Sequence, residues 1–422
     1  MHKFYITNNL GGGGTNVSRL YDYIEIFELD NIGILLNYYY LIGSAKPSFD
    51  VPLIKQIDKF KEINTFVNFS REYFKSKRTT STKFKSFNSD VNINGFILDN
   101  GCGNFLRDLL SENSSHEGIH DKVKPFMDFA EQHKFDLSVS LDLAMKYTYK
   151  ASEKSDPEFM YKWQELAEDN EINYSLLAKA LEEIKINNYK HLILAPLHGY
   201  DYDSFTGYLD RIKELENSKE TKFGGFALGG IANTRVLDDD FWAIPKEFKN
   251  NLKSAYLCYN LIKRIREKTS RHIHVLGAGN IYTLPFLIHA GDNSSDCHSA
   301  WRRSSDGGYD KAKILIPLFD KNFNFINKKN CLEYVKIKDI DDKDYKFNCG
   351  FTIHEIQELL VSSNKEDFYF AEIIIFLEAI LQYDILIKFI SENPDNYLEL
   401  LTKTSDNKLN NDYIAIKNAL KI

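Results

Sequence analysis

The stretch IHAGDNSSDCHSAWRR, residues 288–303, guides the interpretation of the rest of the chain. A short apolar piece ends in small residues, and Asp296, Cys297, a tryptophan and two arginines follow it. In barrel enzymes, catalytic side chains lie at the carboxyl ends of strands and in the loops just beyond them. A carboxylate that ends a strand beside cations therefore predicts Asp296 as the central catalytic residue. Asp292, four residues earlier, is its rival for that place.

Seven earlier segments also have the composition of strands, and several of them end at an acidic residue or a glycine. They are residues 33–42, 64–68, 95–99, 135–142, 191–196, 223–228 and 272–276. Helical or loop segments largely separate them, including a helical zone over residues 157–186. Eight strands that alternate with helices predict the α/β class and fit a (β/α)8 barrel of the TIM type. A doubly wound open sheet fits the periodicity as well.

Length and composition allow one large catalytic domain with an appendage. The chain has 422 residues, of which 43% are hydrophobic, so it can bury a sizeable core. We expect a TIM-barrel domain over residues 1–320 and a mainly helical region over residues 321–422. In that region, residues 352–362, 367–390 and 406–420 have helical patterns.

Charge and cysteine content bound the environment of the protein. A net charge of −7 argues against coating of nucleic acid by bulk charge, so any nucleic-acid site must be a local patch. Five scattered cysteines do not form a disulfide framework, which favours a reducing compartment. The N-terminus lacks the apolar region of a signal peptide, and acidic residues interrupt the apolar run at 371–387. We therefore expect a cytoplasmic protein that does not enter a membrane.

Four motifs, in this order, resemble those of the tRNA-guanine transglycosylase family. They are FILDNGCGNF at residues 96–105, FGGFALGGIA at 223–232, HVLGAG at 274–279 and the Asp-Cys pair at 296–297. The pair Trp301-Arg302, followed by ILIPL at residues 314–318, is similar to the branch that works on DNA, the 7-deazaguanine DNA transglycosylases. The resemblance covers roughly residues 92–318. It implies a TIM barrel that exchanges a base in nucleic acid.

The resemblance implies roles for two carboxylates. Asp296 would attack C1′ of the sugar and form a covalent intermediate, while Asp99 would act as general acid and base at the departing and arriving bases. Without the family match, Asp99 in Asp-Asn-Gly would be read as an ordinary turn residue. The implied partners are nucleic acid, with DNA favoured over tRNA, a free base such as a 7-deazaguanine, and accessory proteins. No cofactor is implied.

The base pocket is implied by the same resemblance. Asp142 aligns with an aspartate that reads the Watson-Crick edge of the purine, although it could instead be a helix N-cap. His198 stands where the family commonly has Gln. Gly229 and Gly230 would let the backbone approach the base closely, although a plain turn would also need glycine.

Two basic elements are candidates for contact with nucleic acid. By resemblance, Arg302 would grip a phosphate or a neighbouring base, and Trp301 would stack or pack behind it. Residues 71–85 carry six Lys and Arg side chains among serines and threonines. They could follow a phosphate backbone or form a solvated loop.

The region beyond residue 318 does not carry the zinc motif of the tRNA-acting family members, which is Cys-x-Cys-x-x-Cys with a later His. Only Cys331, Cys349 and His354 are present there, without that spacing. We therefore predict no structural zinc by that motif. Its absence also disfavours exchange in tRNA, which stays an alternative.

Two further functions are compatible with most of these candidate residues. A DNA glycosylase that excises a modified base and leaves an abasic site, as in phage defence, needs only water in place of the incoming base. His198 and Cys102 depart from the family pattern and favour this alternative. A catalytically inactive nucleic-acid-binding subunit is the other alternative, but the retention of Asp99 and Asp296 argues against it.

Overall fold

Eight parallel strands form a closed barrel in a computed structural model of the protein. The residues that the structure describes are 2–8, 29, 31–42, 57–66, 95–100, 117–143, 157–199, 201–231, 242–248, 250–297, 310–316, 333–341, 345–347, 350–392, 394–395 and 407–422. The strands are β1 (Lys3–Asn8), β2 (Ile32–Asn37), β3 (Phe96–Asp99), β4 (Leu137–Val139), β5 (Leu192–Leu197), β6 (Gly225–Leu228), β7 (His272–Val275) and β8 (Ser294–Cys297). Each strand pairs with the next, and β8 closes on β1. The predicted (β/α)8 barrel is confirmed.

Helices lie between the strands along the chain. They are α1 (Tyr38–Leu41), α2 (Glu117–His120), α3 (Val123–Gln132), α4 (Pro157–Asn187), α5 (Tyr202–Lys219), α6 (Asn250–Lys268) and α7 (Leu284–Ala290). Local signals set their ends. For example, the Asp201 carboxylate accepts the backbone N–H of Ser204 at 2.7 Å and so begins α5, while Glu220 ends that helix in the left-handed conformation.

Strand residues alternate between the barrel interior and the surrounding helices. One buried cluster contains Tyr5, Leu35, Ile97, Leu137, Val139, Leu194 and Ala227, which fill the interior. Their neighbours in sequence, such as Phe4, Leu98 and Ile193, belong to the larger core that includes the helices. On β8 the same alternation points Asp296 inward, and Cys297 packs in the outer core.

The register of the strands sets the height of each inward side chain. In an eight-stranded barrel of this kind, a level layer rises by roughly one residue from each strand to the next. The layer that starts at Asp296 on β8 passes through β1 and β2 and reaches β3 at Leu98, the residue before Asp99. Asp99 and Asp296 therefore lie at nearly the same height in the barrel.

The C-terminal region contains a two-stranded antiparallel sheet of β9 (Lys313–Ile316) and β10 (Glu333–Lys336). The helices α8 (Ile353–Val361), α9 (Lys365–Glu392) and α10 (Asn407–Leu420) follow it. Early α9 residues pack with α8 in a separate core, whereas later ones join the barrel core. The Tyr383 ring of α9 stacks on Phe4 of β1 with 4.4 Å between ring centroids. The long apolar helix thus joins the C-terminal region to the barrel.

Two strand predictions were wrong in part. Residues 63–66 form a helical turn and no strand, and Phe66 is buried by it. Its place in the barrel is taken by β1, which was not predicted. The segment 33–42 was predicted as one strand, but β2 ends at Asn37 and the three tyrosines that follow begin α1. Among the described helices, none is long and apolar enough to cross a membrane.

Candidate active site

The Asp296 carboxylate lies at the carboxyl end of β8, inside the barrel, with its side chain 6% exposed. Thr7 Oγ1 donates a hydrogen bond to Asp296 Oδ2 at 2.7 Å. The backbone N–H of Gly277 donates to Asp296 Oδ1 at 2.9 Å. Hydrogen bonds to both oxygens hold the carboxylate in one orientation.

Glycines in the HVLGAG motif make this arrangement possible. Gly277 has a φ of 70°, in the left-handed region that favours glycine, and this conformation directs its N–H at Asp296. A Cβ atom on Gly279 would lie 2.8 Å from Ser295 Oγ and 3.0 Å from the Asp296 carbonyl oxygen. The turn after β7 therefore packs directly on β8 only because both positions are glycine.

His274 is a third neighbour of Asp296. Its ring is fully buried, and its Nε2 atom lies 3.3 Å from Asp296 Oδ1, without the alignment of a hydrogen bond. Its Nδ1 atom lies 2.8 Å from Ser294 Oγ. The sequence analysis did not single out His274 or Thr7. Polar residues at alternate, inward positions of a short strand, such as His272 and His274 on β7, are the signal that could have found the histidine.

The Asp99 carboxylate ends β3 and is buried, with the residue 6% exposed. Its register neighbour on β2 is Asn37, which is also buried. The two side chains lie side by side at the carboxyl ends of their strands. Asp99 and Asp296 therefore lie at the same end of the barrel and at nearly the same height, three strands apart around it.

Asp142 and His198 form a second polar group with Asn100. The Asn100 amide nitrogen donates to the Ser140 carbonyl oxygen at 3.2 Å and also to Asp142 Oδ1. His198 Nε2 lies 3.0 Å from Asp142 Oδ2, at ion-pair distance but not aligned for a hydrogen bond. The structure thus places Asp142 and His198 together, beyond β4 and β5. Asn100 is the residue that the sequence analysis missed, and its place directly after Asp99 was the available signal.

The remaining predicted site residues have varied positions. Gly229 and Gly230 follow β6 at the same end of the barrel, and Gly230 has a φ of 77°, which favours glycine. A Cβ on Gly229 would meet only Leu276, at 3.7 Å, so packing within the described residues leaves room for a side chain there. Trp301, Arg302 and the basic residues 71–85 lie outside the described residues.

Asp292, the rival nucleophile, lies before the start of β8, at the opposite end of that strand from the site. Its Oδ1 atom is 2.8 Å from His2 Nδ1, within an enclosed ion pair. Burial raises the pKa of the Asp292 carboxyl, and the nearby His2 opposes that rise. Its position and its contact with His2 place it at the end of the barrel opposite the site. We therefore keep Asp296 as the candidate nucleophile.

Within the part of the chain that the structure describes, no group of three or more His, Cys, Asp or Glu residues is arranged to hold a metal ion. Comparison of the chain with models of known protein families and with curated protein sequences finds no match. The chemistry of the site must therefore be argued from its own residues.

Proposed function

We propose that this chain cleaves the N-glycosidic bond of a base flipped out of nucleic acid and inserts a free 7-deazaguanine in its place. DNA is the favoured substrate and tRNA the alternative. The observation that carries the proposal is the pair of buried carboxylates, Asp99 and Asp296, at nearly one height inside the carboxyl end of the barrel. The resemblance of four ordered motifs supports the same reaction class.

Exchange through a covalent intermediate needs a nucleophile and an acid–base group. In the first step, an Asp296 oxygen bonds to C1′ while the bond from C1′ to the base nitrogen breaks. The electron pair of that bond leaves with the base, which takes a proton from the Asp99 carboxyl. In the second step, a nitrogen of the incoming base attacks C1′ and gives its proton to Asp99. Asp296 leaves as a carboxylate, so both groups return to their starting states.

The base would be read by the second polar group. Asp142 offers carboxylate oxygens to N–H groups on a purine edge, and Asn100 holds the carboxylate in place. A neutral His198 ring has one donor and one acceptor on opposite sides, unlike the amide of a Gln. The pocket is therefore expected to accept a base edge that differs from plain guanine.

Removal of a modified base without replacement is the second candidate function. The contact between His198 and Asp142 favours it, because that contact occupies the place where the family presents an amide to guanine. Hydrolysis uses the same carboxylates: water attacks C1′ of the intermediate, gives a proton to Asp99 and leaves an abasic sugar.

A single incubation separates these possibilities. An oligonucleotide duplex and a transcribed tRNA are each incubated with the protein, with and without a free 7-deazaguanine. Nucleosides are then analysed by mass spectrometry, and abasic sites by alkaline strand cleavage. Incorporation of the deazaguanine supports exchange. Strand cleavage by alkali that does not require the free 7-deazaguanine supports the glycosylase. If neither product forms from modified or unmodified substrates, the proposed function is wrong.

A further inference from the structure

A column of polar side chains runs along the barrel interior beneath the candidate nucleophile. It consists of His272 and His274 on β7 and Ser294 and Asp296 on β8. Ser294 Oγ lies 2.8 Å from His272 Nε2 and 2.8 Å from His274 Nδ1. On its other side, His274 Nε2 lies 3.3 Å from Asp296 Oδ1. The buried His274 ring therefore lies between Asp296 and the polar side chains deeper in the barrel.

The hydrogen atoms in this column can be assigned from donor counts. The Ser294 hydroxyl has one hydrogen, so at least one of the two rings must donate to it. A bare Nε2 lone pair on His274 would face the negative Asp296 carboxylate, which is repulsive, so Nε2 carries the hydrogen. In a neutral ring, Nδ1 then accepts from Ser294, and His272 Nε2 donates to Ser294. Burial supports a neutral His272, because it lowers the pKa of that ring to about 3.

We infer that His274 is a positioning residue for Asp296, a role that rests on the proposed function. Its Nε2–H and the Gly277 N–H both face Oδ1, whereas Thr7 alone of these donors bonds Oδ2. Oδ2 therefore keeps more of its electron density and is the oxygen that attacks C1′. Oδ1 becomes the carbonyl oxygen of the sugar ester, and the same two N–H groups receive its negative charge when the carboxylate leaves again.

The surroundings of His274 leave the carboxylate as its main electrostatic partner. The Tyr5 ring packs edge-on against the imidazole, at 5.7 Å between centroids. Among the described residues, the titratable groups with a recorded contact or electrostatic effect on His274, His272 or Asp292 include Tyr5, His2, Arg266 and Asp296. Asp292 is itself paired with His2, so Asp296 is the acid closest to the outer nitrogen of the His274 ring.

Two substitutions at one position separate the contacts of the ring. In His274→Gln the amide nitrogen can occupy the place of Nε2 and reach Asp296. In His274→Asn the shorter amide reaches only the place of Nδ1 and Ser294. We expect the Asn variant to lose about ten- to hundredfold in kcat with a nearly unchanged KM for DNA, and the Gln variant to recover most of it.

A matched control tests for a merely structural effect. His191 is also a buried histidine, with Nδ1 2.8 Å from Glu131 Oε2 and Nε2 3.0 Å from Ser138 Oγ, but it precedes β5 at the other end of the barrel. His191→Asn should lower the melting temperature without lowering kcat. If the two His274 variants share the kcat of the wild-type protein, the inference is overturned while the proposed function stands.

A measurement without substrate distinguishes a wrong role for His274 from a wrong proposed function. Two-bond proton–nitrogen spectra of protein labelled with [15N]histidine report which ring nitrogen carries hydrogen, and the His274 signals are those missing from His274→Asn. We expect Nε2 of His274 to be protonated and its pattern to change in Asp296→Asn. A neutral ring protonated only at Nδ1 would overturn the inference. A protonated Nε2 in a protein that exchanges no base would leave the contact intact and reject the proposed function.

Discussion

At the scale of single residues, the site is defined by the hydrogen bonds that the Asp296 carboxylate accepts. Asp296 accepts one hydrogen bond on each oxygen, from a side chain of β1 and from the backbone after β7. The first strand of the barrel and its last two strands therefore converge on one side chain. These hydrogen bonds restrain the carboxylate before any substrate binds. Less conformational entropy is then lost on reaching the transition state.

Replacing Asp296 with Asn tests the proposed nucleophile. The amide oxygen can still accept from Gly277, and the amide nitrogen can donate to Thr7 Oγ1, so the fold should tolerate the change. We expect turnover to fall by roughly a thousandfold or more, because the amide cannot form the sugar ester. Binding of DNA, followed by fluorescence anisotropy, and the melting temperature should hardly change. Activity equal to that of the wild-type protein would reject the covalent mechanism.

Substitution of His198 tests the reading of the base. His198→Gln replaces a ring that lies 3.0 Å from Asp142 with an amide that offers a donor and an acceptor together. One hydrogen bond to a buried base edge is worth about 1–3 kcal/mol, which is a ten- to hundredfold preference. The variant should shift toward plain guanine in competition with DNA that carries modified bases. Identical preferences in both proteins would show that His198 does not read the base.

The sequence could predict some of these residues and not others. Asp296 and Asp99 were predictable because each acid directly ends a short run that can form a strand, and parallel strands bring such ends together. Thr7 was not, because its role depends on the closure of the barrel, which pairs the first strand with the last. His274 depends in addition on the inward direction of its side chain, and one strand of four residues is too short to show that alternation clearly.

At the scale of elements, α9 is the feature that couples the C-terminal region to the barrel. Its Tyr383 ring stacks on Phe4 of β1, and Asp384 Oδ1 accepts the backbone and side-chain N–H groups of Asn31 at 3.2 and 3.1 Å. These contacts fix the entry to β2 and the outer face of β1. Because β1 also carries Thr7, the helix helps to hold a hydrogen-bond donor to Asp296 in place.

Truncation of Tyr383 tests that coupling. Tyr383 is 1% exposed, so Tyr383→Ala should lower the free energy of unfolding by about 3–5 kcal/mol, in the range found for buried aromatic residues. Tyr383→Phe keeps the stacked ring and should cost much less. Urea unfolding followed by circular dichroism measures both. Equal midpoints for the Ala variant and the wild-type protein would show that α9 does not support the barrel.

The same elements show where pattern reasoning is limited. The helical zone at 157–186 was predicted almost to its ends, because a long periodic segment has a strong signal. A run of only a few apolar residues, such as the one that contains Phe66, fits a strand or a helix equally well, and here it forms a helical turn. β1 was overlooked because its inward residues Lys3 and Thr7 are polar, so it lacks the apolar run of a buried strand.

At the scale of the whole molecule, buried histidines link the stability of the fold to pH. Burial lowers the pKa of His133, of His191 and of His272, the last to about 3. Burial favours the neutral form of each ring in the native structure, whereas the unfolded chain takes up a proton near pH 6.5. The folded-state pKa is the lower one, so the stability from each ring is present above pH 6.5. It is lost as the pH falls from there toward the folded-state pKa.

We therefore expect the protein to lose stability as the pH falls below about 6.5. Between pH 7 and pH 5, His272 alone should reduce the free energy of unfolding by about 2 kcal/mol, because one pKa unit corresponds to about 1.4 kcal/mol. Urea midpoints at the two pH values measure this loss. In His272→Asn the side chain no longer titrates while an amide can still face Ser294, so its midpoint should change less with pH than that of the wild-type protein. The same pH dependence in both proteins would mean that the pKa of His272 does not change on folding, which would reject its part in the stability at neutral pH.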